Sequence, residues 1–263
     1  MSQARWIELD GAVNVRDVGG LPTSDGGAVQ PGRLIRSDNL QELSPRDVDL
    51  LVNELGVRTV ADLRTGVEVH HEGPGPLTEV DDVEVRNLSL LPEAGDHTDV
   101  AADGKVILPW EKRNTEQSSE RHGTSAVYLG YLDDRADSII AALRLVAHSE
   151  GATIVHCAAG KDRTGTVVAL ALAEVGVERE AIITDYARSS ERIEAIFDRL
   201  RATRTYARDL TDTEPHEHAP RESTMQRLLD GIDAEFGGPA AWLRAHGWTD
   251  EDAAALRHKL LDD

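Results

Sequence analysis

The most constraining stretch of the chain is Ala152 to Gly176, which reads ATIVHCAAGKDRTGTVVALALAEVG. Thr153, Ile154 and Val155 form a β-branched run suited to a buried strand, and Val167 to Ala173 is apolar enough to be a helix lying on a sheet. A tight loop is thereby placed between a strand end and a helix start. It carries Cys157, Gly160, Lys161, Asp162, Arg163, Thr164 and Gly165. Amides of such a loop and of the first helical turn converge on one point, glycines let the backbone approach closely, and a guanidinium offers two parallel donors. This is a geometry for a phosphate dianion, with Ala158, Ala159, Gly160, Lys161, Asp162 and Arg163 as its cradle. The same field favours the thiolate form of a cysteine, so Cys157 reads as a nucleophile rather than an inert small hydrophobe. Packing gives no reason for Lys, Asp, Arg and Thr to crowd directly behind a core strand.

Length and charge narrow the rest. With 263 residues, 40% of them hydrophobic, and no linker or internal repeat, residues 1–263 read as one large α/β domain. A net charge of −20 argues against nucleic acid and against general adhesion to anionic membrane. It repels a phosphorylated substrate too, so basic residues must be concentrated at the pocket. A single cysteine excludes an internal disulfide, and the start MSQARWIELD lacks the apolar core of a signal peptide. The longest apolar run, Val167 to Ala173, is far too short to span a bilayer. The expectation is a cytoplasmic protein without membrane insertion, with export by a signal-less route left open. The oligomeric state is not readable.

Along the chain, residues 6–20 suggest a strand and turn, and 32–37 a strand ending at Arg36 and Ser37. Ser44 as N-cap, Pro45 at the first position, Asp47 in the first turn, and Val48, Leu51, Val52 and Leu55 ahead of Gly56 predict a packing helix. Val57 to Leu63 alternates into a buried strand and delivers Asp62 and Arg64 to its C-terminal end, where ligands sit in open parallel sheets. Either these two reach the site or they pair and pin the strand end. Val83 to Leu91 adds a strand, after which Pro92 and Glu93 open a long polar segment to His122, a lid, a binding loop or disorder. His70, His71, His97 and His122 show no metal-ligand spacing, and neither metal nor cofactor is expected. Residues 124–149 read as two helical pieces meeting near Asp133–Asp137. Residues 178–189 and 190–206 follow as helices, the second with Ile193, Ile196, Phe197 and Leu200 on one face, as core or as the underside of a flap. Arg208 to Arg221 reads as a loop, and Glu222 to Leu261 as helical pieces broken at Gly237-Gly238 and Gly247, with Trp242 and Trp248 as packing anchors. The alternation predicts an α/β layered fold with a central, mostly parallel sheet and a helical C-terminal part.

HCAAGKDRTG resembles the Cys-x5-Arg loop of protein tyrosine phosphatases, and its Lys-Asp-Arg version is similar to an atypical bacterial branch of the mycobacterial tyrosine phosphatase B type. Asn14-Val15-Arg16-Asp17-Val18-Gly19-Gly20, Gly32-Arg33-Leu34-Ile35-Arg36-Ser37, Ala61-Asp62-Leu63-Arg64 and Asp185-Tyr186-Ala187-Arg188-Ser189 are similar to that family's signatures, in its order. The resemblance spans most of the chain and implies a phosphatase of phosphotyrosine, phosphoserine/threonine and phosphoinositides working through a phosphocysteine. It implies Asp162 as the general acid. No Trp-Pro-Asp tripeptide exists here, and Glu93, Asp96 and Asp99 are the upstream substitutes. Thr164 is assigned to ease the departure of sulfur and His156 to orient the loop from beneath, or simply to be a satisfied strand-end histidine. Arg16 and Asp17 are expected to buttress the loop. Lys161, an added cation, would suit a second phosphate, so phosphoproteins and phosphoinositide head groups are the expected partners.

Two other classes also use this arrangement. A rhodanese-like sulfurtransferase has a Cys-x5-Arg loop but no use for Asp162 and Thr164, and arsenate reductases relay electrons through further cysteines that this chain lacks. A non-catalytic phosphate-binding module would not need Cys157, Arg163 and Thr164 intact.

Overall fold

The computed structural model describes residues 5–91, 124–207 and 210–262. Among the described residues six strands form one sheet, β1 (Arg5–Trp6), β2 (Arg16–Asp17), β3 (Leu34–Ser37), β4 (Val57–Asp62), β5 (Glu84–Asn87) and β6 (Ala152–His156), in the order β1-β2-β3-β6-β4-β5. The four strands from β3 to β5 are mutually parallel, while β1 and β2 add an antiparallel edge. β6 lies in the middle and is buried along its whole length. Its register places His156 beside Ser37 on one side and Asp62 on the other. The loop that follows thus starts at the C-terminal edge of a three-strand platform, where open parallel sheets bind ligands.

Successive strand residues feed opposite faces. Leu34 and Val155 enter a large core with α4 (Ala136–His148), α5 (Asp162–Glu174) and the C-terminal helices α8 (Glu222–Phe236), α9 (Pro239–Ala245) and α10 (Asp250–Leu261). Ile35 and Ile154 enter a smaller core beneath α1 (Pro45–Asp49), which continues as a π turn over Leu50–Glu54. Val167, Val168, Leu170 and Leu172 of α5 are all buried, at roughly 1.5–3 kcal/mol each by apolar burial, so the loop ahead of α5 is anchored to the core at both ends. The expected helix start is present as a capping box between Ser44 and Asp47, and Asp47 also accepts from the amides of Asp10 and Gly11.

Several elements are shorter than the sequence suggests. The stretch 5–20 contributes only the two-residue strands β1 and β2, and the strand expected over 83–91 pairs only over Glu84–Asn87. The helical run 178–206 breaks into α6 (Arg179–Ala187), a 3-10 turn (Arg188–Arg192) and α7 (Ile193–Ala202). α2 (Gly66–Glu72) was not anticipated. The two helical pieces of 124–149 are α3 (Thr124–Asp134) and α4, with the break at Arg135. Among the described residues no helix is long and apolar enough to cross a membrane.

Candidate active site

Three donors hold the loop from outside. The Asn39 amide donates to the Ala158 carbonyl at 3.1 Å, Asn14 Nδ2 to the Ala159 carbonyl at 2.9 Å, and Arg36 Nη2 to the Gly160 carbonyl at 3.0 Å. Because a peptide plane points its C=O and its N–H to opposite sides, drawing three successive carbonyls outward turns the amides of Ala159, Gly160 and Lys161 inward. Gly160 takes φ +65°, and a Cβ there would stand 2.4 Å from the Ser37 carbonyl oxygen. No other residue type fits both demands. α5 begins at Asp162, directing its first unpaired N–H groups at the same point.

Cys157 and Arg163 are 2% and 4% exposed. The guanidinium of Arg163 is gripped in bidentate fashion by Glu68, Nη1 to Oε2 at 2.6 Å and Nη2 to Oε1 at 2.8 Å, and Nη1 also reaches the Leu63 carbonyl at 3.3 Å. Burial disfavours this charge, but the Glu68 carboxylate outweighs it and holds Arg163 protonated. Glu68 is in turn fixed by the Thr65 amide at 2.7 Å and by the Tyr206 hydroxyl. The Thr65–Glu68 capping box that starts α2 is therefore also the support of the loop's arginine. Glu68 and Tyr206 are absent from the residues read out of the sequence. Thr65-x-x-Glu68 was the signal that could have found the first of them.

Behind the loop, β2 and β3 set Arg16 directly opposite Arg36, a like-charge pair that is unfavourable on its own. Asp185 of α6 resolves it, accepting from Arg16 Nε at 2.9 Å and Arg36 Nη1 at 2.7 Å. Burial pushes the Asp185 carboxyl up, but Arg16 and Arg36 outweigh it and hold it at about 2. Arg16 also donates to Asn14 Oδ1 and Ser189 Oγ, so the Asn14 and Asp185 motifs meet in one buried network. Two guanidiniums to one carboxylate leave excess positive charge behind the anion cradle of an otherwise acidic chain. Asp17 does not join it. Neighbouring strand residues face opposite ways, and Asp17 instead ties down the amides of Gly19 and Gly32, both at 2.8 Å, and pairs with Arg5.

Asp62 and Arg64 form the strand-end ion pair, at 2.7 Å, with Arg64 also bonded to Gln41 and the Gly73 carbonyl. The pair supports the loop at one remove, since Asp62 Oδ1 lies 3.5 Å from His156 Nε2. Nδ1 of His156 is 3.3 Å from the Cys157 carbonyl oxygen, and burial lowers its pKa to about 4, so the ring is neutral. Lys161 donates to the His218 carbonyl at 2.7 Å and lies 3.5 Å from Asp162 Oδ2. Asp162 is 9% exposed, and its Oδ1 accepts from Tyr128 on α3, a contact the sequence did not announce. The Thr164 hydroxyl is buried without a partner among the described residues. Glu93, Asp96 and Asp99 lie outside the described residues, as do His97 and His122. Over Ala158 and Ala159 lies a separate apolar cluster of Ile193, Ile196, Phe197 and Leu200 from α7, with Tyr206 and Leu210. Among the described residues no group of three His, Cys, Asp or Glu is placed to hold a metal ion.

A family described as "Tyrosine phosphatase family" matches residues 7–262. The triple specificity protein phosphatase PtpB of Mycobacterium tuberculosis is 34% identical over 97% of this chain and 98% of its own length. A putative tyrosine-protein phosphatase of Cupriavidus necator is 28% identical over 97% of this chain and 88% of its own, and a tyrosine-protein phosphatase of Nostoc commune 24% over 89% and 76%.

Proposed function

The chain belongs to the tyrosine phosphatase family and is a cysteine-based phosphatase of phosphate monoesters; from this premise we propose that Cys157 is its nucleophile, Arg163 and the inward amides its phosphate cradle, and Asp162 its general acid. One observation carries the assignment: the outward anchoring of three successive carbonyls between Cys157 and Arg163, which aims the loop amides at one anion site.

In the first step the Cys157 sulfur forms a bond to phosphorus while the bond to the leaving oxygen breaks and that oxygen takes a proton from Asp162. Charge on the equatorial oxygens is met by the amides and the Arg163 guanidinium, fixed in advance by Glu68 so that little reorganisation is needed. In the second step water attacks the phosphocysteine, Asp162 takes its proton, and the Thr164 hydroxyl is free to hydrogen-bond the departing sulfur. No cofactor is required. Cys157 and Arg163 are buried, and the α7 cluster with Tyr206 packs on the neighbouring Ala158 and Ala159.

We read residues 1–263 as a single catalytic domain, supported by the unbroken family match. Phosphotyrosine is the first substrate we assign. The Lys161 ammonium beside the cradle, and likeness to a relative named for triple specificity, support phosphoserine/threonine and phosphoinositides as further ones. A substrate panel with rapid acid quench tests all of this. The wild type should carry a phosphate on the Cys157 peptide, and Cys157→Ser should lose turnover yet still bind inorganic phosphate. Turnover retained by Cys157→Ser would remove Cys157 from the mechanism.

A further inference from the structure

Two buried tyrosines connect the core to the carboxyl group assigned above as the proton donor. Tyr128 of α3 and Tyr186 of α6 are almost wholly buried, and their hydroxyl oxygens lie 2.9 Å apart. The Tyr128 hydroxyl bonds Asp162 Oδ1. The rings meet edge-on at 6.4 Å, and Tyr186 packs so closely over Gly165 that a Cβ there would come within 2.8 Å of its ring. Burial first, and then the charge of Asp162, hold both phenols well above their ordinary range, so each keeps its proton and serves as a donor.

Oδ1 of Asp162 accepts whether the carboxyl is ionised or carries its proton on Oδ2, which fixes the direction of the chain. Tyr186 donates to the Tyr128 oxygen, and Tyr128 donates to Oδ1. With Oδ1 committed, the proton to be delivered rides on Oδ2, which lies 3.5 Å from Lys161 Nζ. We propose that Tyr128, backed by Tyr186, is a positioning residue for the leaving-group proton: it reserves Oδ2 for that proton and stabilises the carboxylate as it forms. The proposal rests on the reading of Asp162 as general acid. As the sulfur–phosphorus bond forms and the ester bond breaks, the electron pair goes to the leaving oxygen, Oδ2 gives that oxygen its proton, and the new negative charge on Asp162 strengthens the bond from Tyr128. An interaction that strengthens during the step accelerates it, whereas one of constant strength would only hold the loop.

The test is kcat/KM across aryl phosphates of graded leaving-group basicity and a phosphoserine peptide, for wild type, Asp162→Asn, Tyr128→Phe, Tyr186→Phe and the Tyr128→Phe/Asp162→Asn double variant. Tyr128→Phe should lose about tenfold or more on phenyl phosphate and the peptide but less than about twofold on p-nitrophenyl phosphate, whose phenolate leaves unaided. Tyr186→Phe should show the same pattern, weaker, and Tyr128→Phe should add nothing once Asp162 is Asn. A uniform loss or no loss in Tyr128→Phe, with Asp162→Asn still selective, overturns the tyrosine assignment and leaves the acid in place. A non-selective Asp162→Asn overturns the acid reading, and this inference with it. If Tyr128→Phe does not fold, Tyr186→Phe decides alone by the same criterion.

Discussion

Asp185→Asn is the sharpest test of how the loop is held. The carboxylate sits between two buried guanidiniums, Arg16 at 2.9 Å and Arg36 at 2.7 Å, and the second of these carries the Gly160 carbonyl. Its pKa of about 2, against 3.8 for an ordinary aspartate, corresponds to about 2 kcal/mol of folding stability. Stripping the charge also leaves two buried cations facing a neutral amide, a situation that costs about 3–5 kcal/mol elsewhere, so the expected loss lies at roughly 2–5 kcal/mol. Because the folded-state pKa is depressed, this stability is complete above the unfolded value near 4 and disappears as pH falls through about 2. Urea unfolding of both proteins should therefore show the full gap at pH 7 and a gap smaller by about 1 kcal/mol at pH 3. Turnover should fall about 10- to 100-fold, because a loosened Gly160 carbonyl misplaces the inward amides. A stability gap below about 1 kcal/mol with near-normal turnover would refute the clamp.

Further outcomes follow from the same geometry. Arg163→Lys should lose at least about 100-fold in kcat, because an ammonium can neither satisfy both Glu68 oxygens nor present a planar fork to phosphate; near-normal rates would remove Arg163 from the mechanism. His156, buried and neutral with a pKa of about 4, is protonated on unfolding below about 6.5, so it should lower stability by about 3 kcal/mol as pH falls from 6.5 to 4. His156→Asn should flatten that part of the stability–pH curve, and an unchanged slope would show that the ring does not titrate on unfolding.

The loop from Cys157 to Arg163 was legible in the sequence because its geometry is local. A β-branched strand, a Cys, an Arg six residues on, and two glycines before an apolar helix confine the possibilities, and Gly160 at φ +65° against the Ser37 carbonyl shows why that position admits nothing larger. The Ser44–Asp47 cap was legible for the same reason, being closed within a few residues, and the Asp62–Arg64 pair was one of two readings the sequence left open. What holds the loop was not. Asp185 reaches Arg16 across 169 positions, Glu68 reaches Arg163 across 95, and Tyr128 reaches Asp162 across 34. Read in sequence, none of the three is marked as the partner of a residue so far along the chain, and Thr65-x-x-Glu68 signals only a helix start. The sidedness of a strand decided between Arg16 and Asp17, and only pairing β2 against β3 showed which of them turns inward. Sequence alone gathered the proposed reacting groups into one loop, since their spacing is short-range backbone geometry. Tertiary structure decided their environment, because burying a charge is tolerable only where the fold brings a distant counter-charge within hydrogen-bond reach.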